Sequence, residues 1–128
     1  MTSRIFVDEL VSILTNNLSS NVPVFAYDRN SFEILPCVVV GVELEEVIEG
    51  ALLDNFMLKA FIVIITNGYD DSGNNLAESI KDDVVRVLIE GHVISCLDGL
   101  FFLGADRHDM DESTQIMMRF YAYTHDNF

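Results

Sequence analysis

The densest group of residues with chemical potential lies at positions 106–113, where four carboxylates surround one histidine. The carboxylates are those of Asp106, Asp109, Asp111 and Glu112, and the histidine is His108. Carboxylate oxygens and imidazole nitrogens both bind divalent metals, so a metal site is the first chemistry to consider. No second cluster of these residue types stands at ligand spacing elsewhere in the sequence. We therefore predict a solvated, charged loop and no metal site.

A second acidic stretch, at positions 70–75, superficially resembles a calcium-binding loop. If Asp70 is the first position, the sixth is Asn75 instead of the glycine that makes the sharp turn, and the twelfth is Lys81 instead of a glutamate. The sequence also has no serine in a nucleophile elbow and no lysine at phosphate-loop spacing after a glycine. We therefore predict that the protein is not an enzyme and uses no cofactor.

The two cysteines, Cys37 and Cys96, both lie among apolar neighbours. A free cysteine in such a context behaves as a small buried hydrophobic residue. The first residues carry one basic side chain followed by Asp8 and Glu9, a pattern that is not expected of a signal peptide. No apolar run approaches the roughly 20 residues that span a bilayer. We expect both thiols to be buried and to stay reduced in a cytoplasm.

The chain is strongly acidic, with seven basic and 21 acidic residues and a net charge of −14. This charge argues against binding nucleic acid through phosphate contacts and against binding an anionic membrane, since both depend on Lys and Arg. Two interpretations stay open. The charge either keeps an apolar, sheet-rich protein soluble, or forms a surface past which nucleic acid moves without sticking.

An acidic cluster ahead of the longest apolar strand also has two interpretations. Its members are Glu43, Glu45, Glu46 and Glu49. They form either a solvated edge that keeps a strand from pairing with another one, or the acidic lining of a channel. The segment 43–55 around them fits a strand extension, a hairpin arm or an ordered loop.

The 128 residues suit a single domain, and half of them are hydrophobic. Hydrophobic periodicity predicts helices over 4–18 and 75–91, and strands over 22–27, 35–44, 57–66, 100–105 and 115–124. This order predicts an α+β domain, a mainly antiparallel four- to five-stranded sheet with two helices packed on one face. Gly41, inside the second strand, indicates a bulge or a close backbone approach.

The second helix has a well-defined predicted start and buried face. Asn75 and Glu78 form a pair that resembles a capping box. Val85 and Ile89 lie off the buried stripe, so they belong either to the edge of the core or to a contact with another subunit. The stripe itself is predicted to contain Leu76, Ala77, Ile80, Val84, Val87 and Leu88.

The strand over 57–66 is apolar on both of its alternating faces. A strand with one face in water should alternate apolar and polar residues, so both faces of this strand need a cover. Two helices cover only one face. The pattern therefore predicts an apolar surface left open for a neighbouring subunit.

The order of these elements resembles a known family. A helix leads to the strand VPVFAYD, then to PCVVVGVE, the long apolar strand, the helix NNLAESIKDDVVRVLIE and two closing strands that end in MMRFYAY. This layout, which covers about the whole chain, resembles phage tail terminator (tail-completion) proteins of the minor tail protein U type. The resemblance is one of order and pattern, so no functional residue is transferred by a short motif.

The resemblance implies a structural protein of the virion that forms a ring, usually hexameric, at the head-proximal end of the tail tube. Such a ring ends tube polymerisation and joins the tail to the neck. The implied partners are further copies of the chain, the tail tube protein, a neck or head-completion protein and, in tails that have one, the sheath or its terminator. DNA would pass through the lumen without specific binding, and the protein would occupy the host cytoplasm during assembly.

The residues that we predict for subunit contacts or for the lumen combine the acidic segments with the two off-stripe residues of the second helix. They are Glu43, Glu45, Glu46, Glu49, Val85, Ile89, Asp106, Asp109, Asp111 and Glu112. Other functions stay open. They are a head–tail connector or head-closure protein of the neck, a small metal-binding enzyme that uses residues 106–112, and an acidic protein that mimics nucleic acid to block a basic partner.

Overall fold

Two helices and five strands make up the described part of the chain. The computed structural model describes residues 2–19, 22–27, 36–48, 55–67, 71–89, 99–109 and 113–124. Among them, no helix combines the length and the apolar character that crossing a bilayer requires. In chain order the elements are α1 (Thr2–Asn17), β1 (Val24–Ala26), β2 (Cys37–Ile48), β3 (Asn55–Asn67), α2 (Asp71–Ile89), β4 (Gly99–Asp109) and β5 (Ser113–Thr124).

All five strands form one sheet in the order β1-β2-β3-β5-β4. β3 lies at the centre and pairs antiparallel with β2 and β5, and β4 pairs antiparallel with β5. The short β1 pairs parallel with residues 38–40 of β2. The fold is therefore α+β with a mostly antiparallel sheet, which confirms the predicted fold class.

One face of the sheet, which we call the helix face, packs against both helices. The three-to-four-residue spacing of a helix places Phe6, Leu10 and Leu14 of α1 in this core, and each is at most 1% exposed. Pleating directs every second residue of the strands to the same side. The core is completed by Val38, Val40, Leu58, Ala60, Ile62, Ile64, Ala77, Ile80, Val84, Val87, Ile116, Met118, Phe120 and Ala122.

The opposite face, which we call the far face, is closed at its centre. Cys37, Val39, Phe61 and Val63 form a second buried cluster, and none of them is more than 9% exposed. The ring of Tyr27, directly after β1, stands edge-on to the ring of Phe61 with the centroids 5.2 Å apart. The predicted open apolar surface is therefore wrong for the centre of this cluster, although a groove of about 580 Å³, lined in part by Phe61, Ile65 and Met117, stays open on the same face. The prediction considered only helices as cover and overlooked the ring of Tyr27, which packs against the sheet from its edge.

Gly41 marks the closest approach between the β2 backbone and this far-face cluster. A Cβ atom at Gly41 would collide with the ring of Phe61 and lie 2.9 Å from Cβ of Tyr27. The predicted close approach is confirmed. The register shift of β2 falls just beyond it, between Val42 and Leu44.

Two predicted boundaries change because strand pairing continues past the apolar residues. β2 extends to Ile48 and β3 begins at Asn55, so the described part of the acidic segment is a strand extension. β4 continues beyond Ala105 to Asp109 in register with β5. The predicted charged loop is therefore wrong for residues 106–109, since backbone hydrogen bonds to β5 hold these polar residues in the sheet.

α2 begins at Asp71, before the predicted start at Asn75. Aspartate and serine, at positions 71 and 72, are favourable near the N-terminus of a helix, which explains the earlier start. Leu76 is 40% exposed and is not part of the buried stripe, which is a second correction. The remaining predicted positions are buried or half-buried against the core.

A buried carboxylate ties the two helices together. Asp83 of α2 is only 9% exposed, and its Oδ2 accepts a hydrogen bond of 2.8 Å from the backbone N–H of Ser19, just beyond α1. Its Oδ1 accepts a bond of 2.8 Å from Arg86. Arg86 also donates to the carbonyl oxygen of Asn17 at 2.9 Å. One carboxylate and one guanidinium thus satisfy backbone groups that the end of α1 leaves unpaired.

The Gly41 contact predicts a packing defect that a second substitution relieves. We expect Gly41→Ala to lower the free energy of unfolding by about 1–3 kcal/mol, the usual range for overpacking a core. Urea unfolding measures this loss. In a Gly41→Ala/Phe61→Leu variant the smaller side chain removes the collision, so the double variant should be more stable than the sum of the two single effects. Strictly additive effects would contradict the packing argument.

The Asp83 contacts predict that removing the carboxylate of Asp83 costs more stability than removing that of its neighbour Asp82. We expect Asp83→Ala to lower the free energy of unfolding by about 1–3 kcal/mol, because the fold loses part-buried hydrogen bonds to a charged acceptor. Asp82 lies next to it on the exposed side of α2, so Asp82→Ala should change stability by less than about 0.5 kcal/mol. Thermal and urea unfolding of both variants make the comparison. Equal losses would show that the buried bonds contribute nothing.

Candidate interaction surface

The β4 edge of the sheet carries exposed apolar side chains. Phe101 is 60% exposed, Phe102 56% and Leu103 47%, although all three belong to a strand. β4 ends the strand order of the sheet and pairs with β5. Natural proteins usually protect such an edge with charges, proline or a short strand. An apolar edge of this kind is typical of a surface that another chain covers.

The strand register shows that these side chains point to both faces of the sheet. Phe102 pairs with Phe120 of the helix-face core, and the two rings lie 5.7 Å apart. Phe101 pairs with Tyr121 and therefore belongs to the far face. Leu103 lies at the register shift of β4. A partner that covers all three must reach around the edge of the strand.

α2 adds a groove to this edge on the helix face. Ile89, the last residue of α2, is 78% exposed, whereas Val85 is half-buried against the core. Val85 therefore belongs to the edge of the core, and Ile89 belongs to the open surface. We call Ile89, Phe101, Phe102 and Leu103 the β4-edge patch. The groove measures about 470 Å³ and is lined by Val85, Leu88, Ile89, Leu100, Phe102 and Phe120.

Charged residues on the far face form ion pairs within the chain. Arg119 donates a hydrogen bond of 2.7 Å to Oδ2 of Asp106. Its Nε lies 3.8 Å from one carboxylate oxygen of Glu43, and Nζ of Lys59 lies 4.0 Å from the other. Glu43 and Asp106, both predicted for the lumen or an interface, therefore face cations of their own chain.

A second charged group ties β4 to α2 on the helix face. Arg107 donates to Glu78 at 3.1 Å and to Asp109 at 3.2 Å, and Asp109 also accepts a bond of 3.1 Å from the hydroxyl of Thr114. The bond to Asp109, followed by the bond to Glu78, raises the pKa of Arg107. The hydrogen bond from Lys81, reinforced by Arg107, holds the pKa of Glu78 below its ordinary value of 4.5.

The geometry does not support the alternative of a metal site on β4. Alternation along the strand places Asp106 on the far face and Asp109 on the helix face, so the two carboxylates cannot share an ion. Each of them already accepts a bond from an arginine. Asp111 and Glu112 lie outside the described residues. Within the described ranges, no group of three His, Cys, Asp or Glu side chains could hold a metal ion.

Cys37 is poorly suited to act as a nucleophile. Its side chain is fully buried on β2, and burial raises the pKa of the thiol. The reactive form of cysteine is the thiolate, which a raised pKa disfavours. Cys37 is thus the buried free thiol that its apolar context predicts. Cys96 lies outside the described residues.

The acidic cluster is only partly within the described chain. Glu45 and Glu46 lie on β2, in the half of the strand beyond its pairing with β1. Glu49 lies outside the described residues. The β4-edge patch was not predicted, apart from Ile89. Its signal was nevertheless present, because Phe101, Phe102 and Leu103 break the alternation that the neighbouring strand β5 follows.

Comparison with known proteins supports the fold. No protein-family model matches the sequence, and neither does any curated protein. A similar solved structure is a chain of the virion of a native gene transfer agent particle, with a TM-score of 0.58 and 18% sequence identity. The similarity covers 91% of this chain and 84% of that chain. At this identity the likeness concerns the fold, and it extends over nearly the whole domain.

The pKa of Glu78 predicts a pH-dependent contribution to stability. Because this pKa is lower in the folded chain, the ion pairs of Glu78 stabilise the fold above pH 4.5, and the stabilisation is lost as the pH falls through the folded pKa. The side chain is 40% exposed, so solvent screens the effect. We expect Glu78→Gln to lower the free energy of unfolding by about 0.2–1 kcal/mol at neutral pH.

Urea titrations of parent and variant in steps from neutral pH to about pH 3 test this expectation, since the difference should shrink as Glu78 becomes protonated. Asp8→Asn, on the exposed side of α1, serves as a control for the loss of one carboxylate. A difference between Glu78→Gln and the parent that stays constant with pH would contradict the assigned role of the Glu78 carboxylate.

Proposed function

We propose that this protein is a structural component of a phage-like virion, and specifically a tail terminator that forms a ring at the head-proximal end of the tail tube. The observation that carries the proposal is the fold shared with a chain of a gene transfer agent virion, at a TM-score of 0.58 over 91% of this chain. The order of elements in the sequence also resembles that of tail terminator proteins. This resemblance is a separate argument for a phage virion protein, because it rests on the sequence pattern.

The β4-edge patch supports assembly. Exposed aromatic and aliphatic side chains at a sheet edge favour association, because association removes their apolar area from water. The patch lies on one side of the domain, whereas the other large exposed hydrophobic residues described lie apart from it, Tyr27 after β1 at the opposite edge of the sheet and Leu76 in the first half of α2. A contact between this patch and a different surface of the next copy is heterologous, and heterologous contacts that close generate rings.

The net charge of −14 suits the proposed position in the virion. Like charges repel, so an acidic ring offers DNA a passage without binding sites. Glu43 and Asp106 are paired within the chain, so the acidic character must come from other carboxylates. These internal pairs also argue against a protein that mimics nucleic acid, since such a mimic presents its carboxylates to a basic partner.

The proposed partners are further copies of the chain, the tail tube protein on one side of the ring, and a neck or head-completion protein on the other. A head-closure protein of the neck is the related alternative, and it differs in binding on the portal side. Neither role involves turnover of a substrate. The thiol of Cys37 is buried, and the carboxylates of Asp106 and Asp109 lie on opposite faces of the sheet. Both features agree with a role in assembly.

The proposal predicts a ring in solution or on the end of a tube. Light scattering should give the mass of several copies, and negative-stain images of the same peak should show closed rings of about six subunits. With purified tail tubes added, the protein should bind one end of each tube and stop further growth. Binding to a portal instead of a tube would favour the head-closure alternative. A chain that stays monomeric and leaves tubes unchanged would overturn the proposal.

Ile89 offers a sharp variant for this experiment, because it is 78% exposed and supports no buried contact that folding requires. We expect Ile89→Lys to give folded monomers, since a charge at the centre of an apolar contact is costly to bury. Ser79→Lys, exposed on the same helix, adds the same charge and should assemble like the parent. Rings of Ile89→Lys that are as stable as those of the parent would exclude the patch from the contact.

A further inference from the structure

The sheet has a second open edge, on the side opposite to β4. β1 pairs only with residues 38–40 of β2. Over residues 42–48, no described strand lies on the outer side of β2. We call this stretch the β2 edge. Among the described residues, the sheet therefore ends in two strand edges, β4 at one side and the β2 edge at the other.

The directions of these two edges are compatible. β2, β3, β5 and β4 each run antiparallel to the next, so β4 runs opposite to β2. A second copy that stands beside the first in the same orientation brings its β2 edge against β4. The resulting pair is antiparallel, which is the commoner and slightly more stable arrangement. Only the first half of β4, up to Leu103, can pair in this way, because β1 already lies beside residues 38–40 of β2.

We infer that β4 of one copy pairs with the β2 edge of the next copy, so that one sheet continues from subunit to subunit. The inference rests on the proposed function, because a closed ring is the expected product of this heterologous contact. It goes beyond that function in naming the two surfaces that meet and the backbone pairing that joins them.

A strand is the occupant that fits the β4-edge patch. Phe101 and Phe102 lie on opposite faces of the sheet, and the β4 backbone runs between them. A helix in the groove would cover Ile89 and Phe102 but would leave Phe101 and the strand backbone in water. A paired strand satisfies the backbone, and its side chains extend over both faces.

The size of the patch is consistent with a subunit contact. With exposed fractions of 47–78%, its four side chains present on the order of 400 Å² of apolar surface. A standard interface buries about 800 Å² on each partner, so the patch supplies about half of that area. Strand pairing and the flanking parts of both edges are available for the rest.

Charge also permits this contact. Residues 100–105 of β4 carry no ionisable side chain. An acidic strand with Glu45 and Glu46 can therefore lie beside them without placing like charges opposite each other. Glu43, at the start of the β2 edge, is already neutralised by Lys59 and Arg119. The nearest cation of β4 itself is Arg107, close to the end of the strand.

Disulfide trapping between variants that each carry one added cysteine tests the inference. One preparation carries Leu103→Cys, and three others carry Val42→Cys, Glu43→Cys or Leu44→Cys. A disulfide requires Cα atoms about 4.4–6.8 Å apart, so directly opposed residues of paired strands meet the condition. Phe102 lies in one row of the sheet with Phe120, Ala60 and Val42, so a copy in the same orientation brings residue 103 level with the start of the β2 edge, and three positions there allow for the register shifts of both strands. Circular dichroism confirms folding, and the parent protein controls for the native cysteines.

We expect a crosslinked dimer when Leu103→Cys is mixed with one of the three β2-edge variants under mild oxidation. We expect none from each preparation alone, and none when Ser79→Cys replaces Leu103→Cys. Crosslinking of Leu103→Cys with itself would overturn the inference in favour of a two-fold β4–β4 contact. Rings in negative stain without any mixed crosslink would overturn it while leaving the proposed function intact. Monomers in every sample, with or without tail tubes, would overturn both.

Discussion

The structure depends on one constraint, the need to keep both faces of β3 out of water. β3 is apolar on both faces from Ala60 to Ile65, so it can only be an inner strand with cover on each side. β2 and β5 pair with its two edges, and α1 and α2 cover the helix face. On the far face Gly41 gives room for the ring of Phe61, and Tyr27 folds over that ring. Each of these features follows from the need to cover one edge or one face of β3.

This arrangement leaves apolar surface at the edge of the sheet as well as in the groove of the far face. Among the described residues, two of the three most exposed aromatic side chains, Phe101 and Phe102, lie on β4, which has a neighbour on one side, and the third is Tyr27. A surface at a sheet edge constrains a partner more than a flat apolar face does, because backbone pairing adds direction and register to the burial of side chains. An assembly built on such edges would have a defined geometry from the first contact onward.

Much of the fold could be predicted from the sequence, because in most elements the spacing of the apolar residues matches the residues that are buried. The clean alternation of Ile116, Met118 and Phe120 identified both the strand β5 and its inward face. The two helices and the class of the sheet followed from the same kind of signal. The errors lie where backbone pairing decides instead of side-chain character. Residues 106–109 are polar, yet they belong to β4 because β5 offers hydrogen-bond partners opposite them.

The candidate surface was harder to predict, since exposure depends on strand order, which the sequence does not state. Phe101 and Phe102 look like core residues in any local window, and only their position on an edge strand exposes them. Ile89 was identified as a possible contact because helical periodicity placed it off the buried stripe. The burial of Asp83 gave no signal in the sequence, since its partner Ser19 and the Asn17 carbonyl that accepts from Arg86 are distant in the chain.

The order of the strands also has a consequence for how the chain folds. The β2–β3 and β4–β5 hairpins can form locally, but the pairing of β3 with β5 at the middle of the sheet joins segments that are separated by all of α2 and β4. Contacts between distant segments form slowly, because the loop must close before the contacts stabilise it. Until that step, both hairpins carry a bare apolar strand, β3 or β5, at an edge. Productive folding and premature self-association therefore compete at this step, and the outcome depends on protein concentration during synthesis.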